Sequence, residues 1–432
     1  MSREIRLSTV RGMDDILPEE MAVKRAIEDV IRKIFKVYGY QEIETPTVEH
    51  YEIFEVKSGE EIRERMFTFV DKSGRKLVLR PEMTAPVARL VATKLKSAPL
   101  PIRLGYIADC YRYDEPQWGR KRRFYHGGFE LFGSSSPAAD AEIIQVSSDV
   151  FNAIGLKEYF FKVGHVGTLR SLMEASNMTE AEQDIVLSLL DRKRIDEALS
   201  LMEECEEKKV IEKLVNISGN SEEVLKEGYD LMSSWDKAVK ALDNLSEIID
   251  IARSAGVDSK IIVDLGFARG LAYYTGFIFE QYLPGVDIAF NGGGRYDRLT
   301  EIFGGKSLPA VGCAIGITRI QQYIVEKIGT QGFNTSKVNA LLVSIGENSL
   351  RYAVKVAATI RAMGIALELD VTEKKIPAAI EYCEKKGIRW LVIVGEREVQ
   401  KNTVSIKDLQ TRTQTEVKLD DRSALLNIFG NR

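Results

Sequence analysis

The chain has 432 residues, of which 44% are hydrophobic and 29% are charged, and its net charge is −4; this is a globular composition with room for two or three domains. The small negative charge excludes a global basic field, so a nucleic-acid partner would have to use local basic patches. The four cysteines are widely spaced and only three histidines occur, which argues against a zinc site and a disulfide framework. No apolar run reaches transmembrane length, which argues against a signal region and a membrane span. Together these features favour a cytoplasmic location.

The first predicted element is an amphipathic helix that runs from Pro18 to about Tyr38. Proline suits the first helical position, apolar residues recur at helical spacing, and Gly39 ends the helix. The strand pattern that follows contains Pro46. Because proline cannot donate a ladder hydrogen bond, it indicates an edge strand or an interface.

A hairpin is predicted over residues 65–80, with its turn at 71–74. Pro81 then holds the preceding residue extended, and a helix is predicted to begin near Thr84. Glu82 therefore stands at a strand-to-helix corner, where its carboxylate could meet the helix dipole or bind a cationic group of a ligand.

A second, longer hairpin is predicted with arms at 102–113 and 122–132 and a polar loop between them. Strand alternation places four residues of the second arm on one face: Phe124, His126, Gly128 and Glu130. A glycine between two polar residues predicts a pocket floor that a small ligand can approach closely.

The loop of this hairpin is strongly basic. Arg112 stands at its mouth, and residues 120–123 are all lysine or arginine. A planar guanidinium at a strand end suits a phosphate. The simpler interpretation is a solvated tip whose charges keep the edge of the sheet soluble.

Helical signals dominate residues 165–258, which we interpret as a helical insertion, and the strand pattern returns at 261–283. Arg269 lies in this otherwise apolar strand, and an arginine there is costly to bury without an anionic partner. Three consecutive glycines at 292–294 allow close backbone approach to a ligand.

The pattern in the last quarter of the sequence predicts a separate domain. Residues 329–338 read as a linker, and short strands alternate with helices after it. We therefore expect a first domain at 1–328 and a compact α/β domain at 339–432.

The long hairpin resembles motif 2 of the class II aminoacyl-tRNA synthetases, in the form found in the histidyl-tRNA synthetase family. The family pattern has an Arg, an acidic residue, Pro-Gln, Gly-Arg, an Arg, a Phe and a closing Gly-x-Glu-x-Phe-Gly. The matching residues are Arg112, Asp114, Pro116, Gln117, Gly119, Arg120, Arg122, Phe124 and residues 128–133.

Other segments resemble the same family in the same order. The first predicted helix together with the Pro46 segment after it resembles motif 1, which forms the dimer contact in this class. The corner with Glu82 and Thr84 resembles the element that binds the amino acid's α-amino group. The stretch with Arg269, Tyr273 and Tyr274 resembles the histidine-specific signature. Further matches are the Gly-Gly-Arg-Tyr-Asp element with Tyr296, motif 3 with Arg319, and an anticodon-binding domain at the C-terminus.

The resemblance implies an α+β class II catalytic domain, an antiparallel sheet with flanking helices and a helical insertion, followed by the α/β anticodon-binding domain. It implies a homodimer that activates histidine with ATP and Mg²⁺ and transfers it to the 3′ end of tRNA(His). The implied catalytic residues are Arg112 and Arg269, and Arg112, Asp114, Arg120 and Arg319 are implied for ATP. The implied histidine-binding residues are Glu82, Thr84, His126, Glu130, Arg269, Tyr273, Tyr274 and Tyr296. Gln117 and Arg122 are implied at the tRNA acceptor end, and Pro46 at the dimer interface.

The sequence departs from the family pattern at Glu115, His126, Ala272 and Thr318. His126 stands where glutamine is more frequent, and a histidine in contact with the ligand would be expected to oppose binding below about pH 6, near its ordinary pKa. Two alternatives stay open. One is the non-catalytic regulatory subunit that partners ATP phosphoribosyltransferase; the other is a general RNA-binding protein with a decayed active site.

Overall fold

The computed structural model describes residues 7–55, 63–257, 260–269, 272–333, 338–346 and 348–430. The chain divides into two units, Met1–Phe333 and Asn334–Arg432. The division falls within the linker predicted at 329–338, of which residues 334–337 lie outside the described ranges. None of the helices in these ranges has both the length and the apolarity that a bilayer crossing requires.

The first unit combines helices with two sheets. Its helices are α1 (Pro18–Tyr38), α2 (Glu52–Glu55), α3 (Thr84–Thr93), α4 (Pro137–Ile154), α5 (Val166–Ala175), α6 (Glu180–Asp191), α7 (Ile195–Ser200), α8 (Glu206–Leu214), α9 (Ser221–Met232), α10 (Asp236–Ser254), α11 (Leu299–Ile302) and α12 (Ile317–Tyr323), which continues into a π-helical turn, Ile324–Ile328. Its strands are β1 (Gln41–Glu42), β2 (Val48–His50), β3 (Phe67–Val70), β4 (Lys76–Leu79), β5 (Ile102–Tyr111), β6 (Arg123–Phe132), β7 (Phe160–His165), β8 (Ser218–Asn220), β9 (Ile261–Asp264), β10 (Phe277–Tyr282), β11 (Asn291–Arg295) and β12 (Ala310–Gly316).

Nine of these strands form one sheet in the order β1-β5-β6-β12-β11-β10-β7-β9-β8. The six strands from β5 to β7 pair antiparallel with one another, and parallel pairs occur only near the ends of the sheet, at β1–β5 and β7–β9. Strands β2, β4 and β3 form a small second sheet. The predicted fold class, an antiparallel sheet with flanking helices, is confirmed.

Helix α1 covers one face of the large sheet, as its apolar stripe predicts. Pro18 occupies the first turn and Gly39 ends the helix with φ of 75°, a value that favours glycine. The Phe35 and Phe129 ring centroids lie 4.8 Å apart. A Cβ at Gly127 would lie 2.6 Å from Ile31 Cδ1. The strand therefore needs a residue without a side chain at this position for α1 to pack closely against it.

The prediction of one strand that contains Pro46 is wrong. Pro46 is exposed and lies between two short strands that belong to different sheets. Strand β1 pairs with β5, whereas β2 pairs with β4. Since proline lacks an N–H donor, the ladder is interrupted at this position and the chain changes sheets.

The segment predicted as a helical insertion is mostly helical. It contains α5 to α10, and the short strand β8, which pairs with β9, was not predicted. Strand β7, immediately before it, was also missed. Residues 258 and 259 lie outside the described ranges, and the limits of the insertion stay a prediction.

The second unit has a five-stranded sheet in the order β14-β13-β15-β16-β17. Its strands are β13 (Ala340–Ser344), β14 (Leu367–Leu369), β15 (Trp390–Val394), β16 (Thr403–Asp408) and β17 (Gln414–Lys418), and its helices are α13 (Leu350–Arg361), α14 (Ile376–Lys386), α15 (Glu396–Lys401) and α16 (Arg422–Gly430). One apolar cluster contains Leu342 and Val392 and another contains Leu341 and Leu391, so alternate residues of the central strands face two separate cores. The predicted alternation of short strands with helices is confirmed.

Candidate active site

A cavity of about 700 Å³ lies in the first unit, over the centre of the large sheet. Its walls bring together most of the predicted site residues: Glu82, Thr84, Arg112, Asp114, Arg120, His126, Arg269, Tyr273, Tyr274, Tyr296 and Arg319. These residues come from α3, the long hairpin, the β9–β10 loop, β11 and α12, so the cavity is assembled from distant parts of the sequence.

Strand β6 forms part of the floor, with the alternation that the sequence predicts. Phe124 and His126 line the cavity, whereas Gly127 and Phe129 face α1. Gly128 has Tyr106 directly over it, and a Cβ there would clash with the phenol ring. Glycine is therefore required because a side chain occupies the space above it.

Glu130 lies beneath the floor rather than in the cavity wall, with 1% of its surface exposed. Its carboxylate accepts hydrogen bonds from the Tyr296 hydroxyl and from Thr84 Oγ1, the latter at 3.0 Å. The neighbouring strand makes room for it with Gly312, since a Cβ there would clash with the carboxylate. Burial raises the pKa of Glu130 to about 8, although both hydroxyl donors oppose this.

His126 lies against the Phe124 ring, with centroids 4.9 Å apart. Its Nδ1 is buried and has no hydrogen-bond partner among the described residues. Burial, together with the positive charges of Arg112 and Arg319, lowers the pKa of His126 to about 3. We therefore expect the imidazole to stay neutral well below pH 6, which argues against a change of its charge near that pH.

Glu82 occupies the predicted corner at the start of α3. Its carboxylate accepts the backbone N–H groups of Thr84 at 2.5 Å and Ala85 at 3.0 Å, so it caps the helix while it lines the cavity. Burial raises the pKa of Glu82, and these N–H donors and the nearby Arg112 act in the opposite direction.

Guanidinium groups converge on the other side of the cavity. Arg112 Nε donates to the Pro81 carbonyl at 2.9 Å, and Arg319 Nε donates to the Gly119 carbonyl at 2.7 Å. Burial and the charges of Arg112 and Arg120 lower the pKa of Arg319 to about 10. Cations close enough to perturb one another create a strongly positive region that suits a polyanion such as a triphosphate.

Arg269 lies in the loop between β9 and β10, so its predicted placement in a strand is wrong. The chain leaves β9 after Asp264 and rejoins the sheet only at Phe277. The Arg269 guanidinium donates to the Phe279 carbonyl at 3.1 Å and lies 3.8 Å from a Glu280 carboxylate oxygen. It fills the space over Gly292. Residues 270 and 271, which follow Arg269, lie outside the described ranges.

At the tip of the long hairpin, the charged side chains contact other protein groups. The Asp114 carboxylate lies 3.1 Å from an Arg65 guanidinium nitrogen. Arg122 is buried over the Tyr113 ring at 3.7 Å, and its Nε donates to the Asp114 carbonyl at 3.1 Å. Gln117 is exposed. Gln117, Arg122 and Pro46 do not line the cavity.

Several cavity residues were not predicted. Tyr106 is the cross-strand partner of Gly128, so the register of the hairpin was the signal that could have found it. Glu280, a charged residue in an apolar strand, gives the same signal as Arg269. Asp191, at the end of α6, also lines the cavity; no local pattern indicates it, because its approach depends on how the helical segment folds back.

Comparisons with known proteins agree on one family. A family model described as Histidyl-tRNA synthetase matches residues 12–320, and one described as Anticodon binding domain matches residues 339–427. The histidine–tRNA ligase of Pyrococcus furiosus is 38% identical over 427 residues, which cover 96% of this chain and 97% of that relative.

Two solved structures show a similar fold. The histidyl-tRNA synthetase of Nostoc sp. PCC 7120 matches with a TM-score of 0.77 at 24% identity, covering 98% of this chain and 100% of that chain. A protein of Bacillus halodurans C, described as an ATP phosphoribosyltransferase regulatory subunit/histidyl-tRNA synthetase, matches with a TM-score of 0.74 at 29% identity, covering 88% of this chain and 97% of that chain.

Proposed function

The chain belongs to the histidyl-tRNA synthetase family, and from this premise we propose that the cavity of about 700 Å³ is the site where histidine is activated. The activity is that of a histidine–tRNA ligase, a class II aminoacyl-tRNA synthetase that uses ATP. In the first step the histidine carboxylate attacks the α-phosphate of ATP and pyrophosphate leaves. In the second step the terminal ribose hydroxyl of tRNA accepts the histidyl group.

The observation that carries the proposal is the division of the cavity into a cationic side and a hydroxyl- and carboxylate-lined side. We assign Arg112 and Arg269 to the α-phosphate and the histidine carboxylate, and Arg120 and Arg319 to the rest of ATP. All four line the cavity. Charge moves onto phosphate oxygens during the transfer, so fixed cations lower the barrier without covalent catalysis.

We assign the histidine side chain and amino group to the opposite side. Glu82 and Thr84 would bind the α-amino group. His126, Tyr273, Tyr274 and Tyr296 would surround the imidazole, which would reach the buried Glu130 between Tyr296 and Thr84. Support comes from the hydrogen bonds that already link Glu130 to these two side chains, because a buried carboxyl group with oriented partners keeps an acceptor oxygen for an imidazole N–H whether or not it carries a proton.

Mg²⁺ is proposed to enter with ATP. Across the described part of the chain, no three or more His, Cys, Asp or Glu side chains gather in a way that could hold a metal ion. This fits an ion that is held mainly by phosphates and water with one or two carboxylates. Asp114 could supply one such ligand, although its charge is shared with Arg65.

The proposal extends to tRNA(His). The second unit matches an anticodon-binding domain, and we assign the anticodon to it and the domain limits to 1–328 and 339–432. At the acceptor end, Gln117 is free to contact tRNA because it is exposed. Arg122 is buried beneath the loop, so we assign it the role of holding the loop in place. A cytoplasmic homodimer completes the proposal.

The alternative of a regulatory subunit is not favoured. It would bind histidine without activating it, and it would need neither the four arginines of the cavity nor the second unit. The relatives named histidine–tRNA ligase cover nearly the whole chain.

Histidine-dependent exchange of pyrophosphate into ATP tests the function directly. The parent protein should catalyse it, and Arg269→Ala should lower the rate by roughly two to three orders of magnitude, as expected for loss of a charge-stabilising donor. Histidine binding without exchange would favour the regulatory subunit, and neither binding nor exchange would favour a decayed RNA-binding protein. Near-normal exchange by the variant would remove Arg269 from the catalytic assignment.

A further inference from the structure

The Arg269 guanidinium is held by groups that the function described above does not use. Besides the Phe279 carbonyl, it faces the Glu280 carboxylate at 3.8 Å, and the two side chains are 19% and 21% exposed. Glu280 belongs to β10, a strand with hydrogen-bonded neighbours on both sides. Its position is therefore set by the sheet rather than by a mobile loop.

Tyr282 fixes the direction of this carboxylate. It lies two residues further along β10, on the same face, and its hydroxyl donates to the other Glu280 carboxylate oxygen. The Tyr282 ring stacks on Phe160, with centroids 5.5 Å apart and an interplanar angle of 14°. The hydrogen-bonded carboxylate is thus preorganised to face Arg269.

The helical segment adds a second negative charge. Asp191, the last residue of α6, lines the same cavity as Arg269, Glu280 and Tyr282. The negative charges of Glu280 and Asp191 both favour the protonated form of Arg269. Glu280 also favours the charged form of Arg319, whereas Arg269 opposes it, so Glu280 offsets the repulsion between two arginines.

We propose that Glu280, oriented by Tyr282, is a positioning residue that holds the Arg269 guanidinium at the phosphate side of the cavity, with Asp191 of the helical segment as a second counter-charge. This rests on the proposed function. A guanidinium already held in place loses less freedom when it meets the phosphate. The opposing carboxylates also keep Arg269 from binding ground-state ATP too tightly, so more of its interaction energy appears in the transition state.

The test measures histidine-dependent pyrophosphate exchange and separates kcat from both KM values. Glu280→Gln should lower kcat by about ten- to a hundredfold without raising the KM for ATP, because charge and position are lost while the cations remain. Glu280→Asp should recover part of the loss of kcat, and Tyr282→Phe should show a smaller loss of the same kind.

Asp191→Asn should lower the KM for ATP several-fold and leave the KM for histidine unchanged. The control Asp196→Asn, on the exposed start of α7, should match the parent.

Two results would overturn the inference. One is an unchanged kcat in Glu280→Gln; the other is a parallel rise of both KM values with a lower melting temperature, which would indicate a merely structural role. If Asp191→Asn and Asp196→Asn behave alike, Asp191 is not a counter-charge for Arg269. Arg269→Ala is measured alongside: a strong loss there with normal Glu280→Gln rejects this inference alone, while a parent protein without exchange rejects the proposed function and this inference with it.

Discussion

At the scale of single residues, Glu130 shows that a buried group in the cavity floor can lower the stability of the folded protein. Burial raises its pKa to about 8 from an ordinary value of 4.5. The folded state therefore retains a proton that the unfolded state releases. The free energy of unfolding should fall as pH rises from about 4.5 towards 8, by at most about 5 kcal/mol for a shift of this size.

Glu130→Gln should remove this pH dependence while it weakens histidine binding. Without histidine, the variant should gain stability relative to the parent between pH 6 and 8.5, by up to a few kcal/mol, because a neutral amide has no proton to lose. Thermal or denaturant unfolding across this range measures the effect, with Glu223→Gln on the exposed face of α9 as the control. Parallel stability profiles for Glu130→Gln and the parent would contradict the prediction.

His126 should behave in the opposite way, as a group that does not titrate in the working range. Its pKa is lowered to about 3, so histidine affinity should follow the same pH profile in His126→Gln and in the parent between pH 5 and 8. The shared fall near pH 6 would come from the imidazole of the free substrate. Calorimetric titration at several pH values decides this. A steeper loss in the parent below pH 6 would show that His126 takes up a proton.

The two residues also mark the limit of sequence reasoning at this scale. Alternation along β6 placed His126 correctly on the cavity face because that rule is local. It could not show that Glu130 lies beneath the floor, or that burial and two arginines lower the pKa of His126. Those properties depend on side chains from separate elements, such as Thr84, Tyr296 and Arg319.

At the scale of elements, the β5–β6 hairpin offers a matched pair of glycines. Gly127 faces Ile31 of α1, whereas Gly128 faces Tyr106 at the cavity. Alanine at either position should destabilise the protein by about 1–3 kcal/mol, the usual cost of overpacking. Only Gly128→Ala should also raise the KM for histidine, because it displaces Tyr106. Equal effects of the two variants on the KM for histidine would contradict this prediction.

Elements were predicted well where a local signal marks both ends. Helix α1 has Pro18 and Gly39 at its ends, and β3 and β4 flank a turn with Gly74 at φ of 80°. The wrong predictions at Pro46 and Arg269 have a different origin. In both cases a strand-like sequence pattern continues through a point where the backbone leaves its sheet, and strand pairing is decided by partners far along the chain.

At the scale of the whole molecule, the order of the motifs was enough to predict the family, because each motif lies at a fixed place in one fold. The oligomeric state has to be inferred differently, because the fold of a single chain does not determine it. The exposed apolar side chains near Pro46 are the relevant observation. Val48 of β2 is 40% exposed, and Phe69 and Val70 of β3 are 42% and 66% exposed. They belong to the small β2-β4-β3 sheet.

We predict that this small sheet and the Pro46 segment form the interface of a homodimer. Exposed apolar side chains on a short sheet are costly in water unless a partner covers them, and a two-fold interface places the same surface on both subunits. Sedimentation at micromolar concentration should therefore give twice the mass of the 48.5 kDa chain. Val48→Asp should shift the protein towards the monomer by burying a charge without a partner, whereas Val371→Asp, at an 83% exposed position in the second unit, should not. A fully active monomer in the parent protein would falsify the prediction.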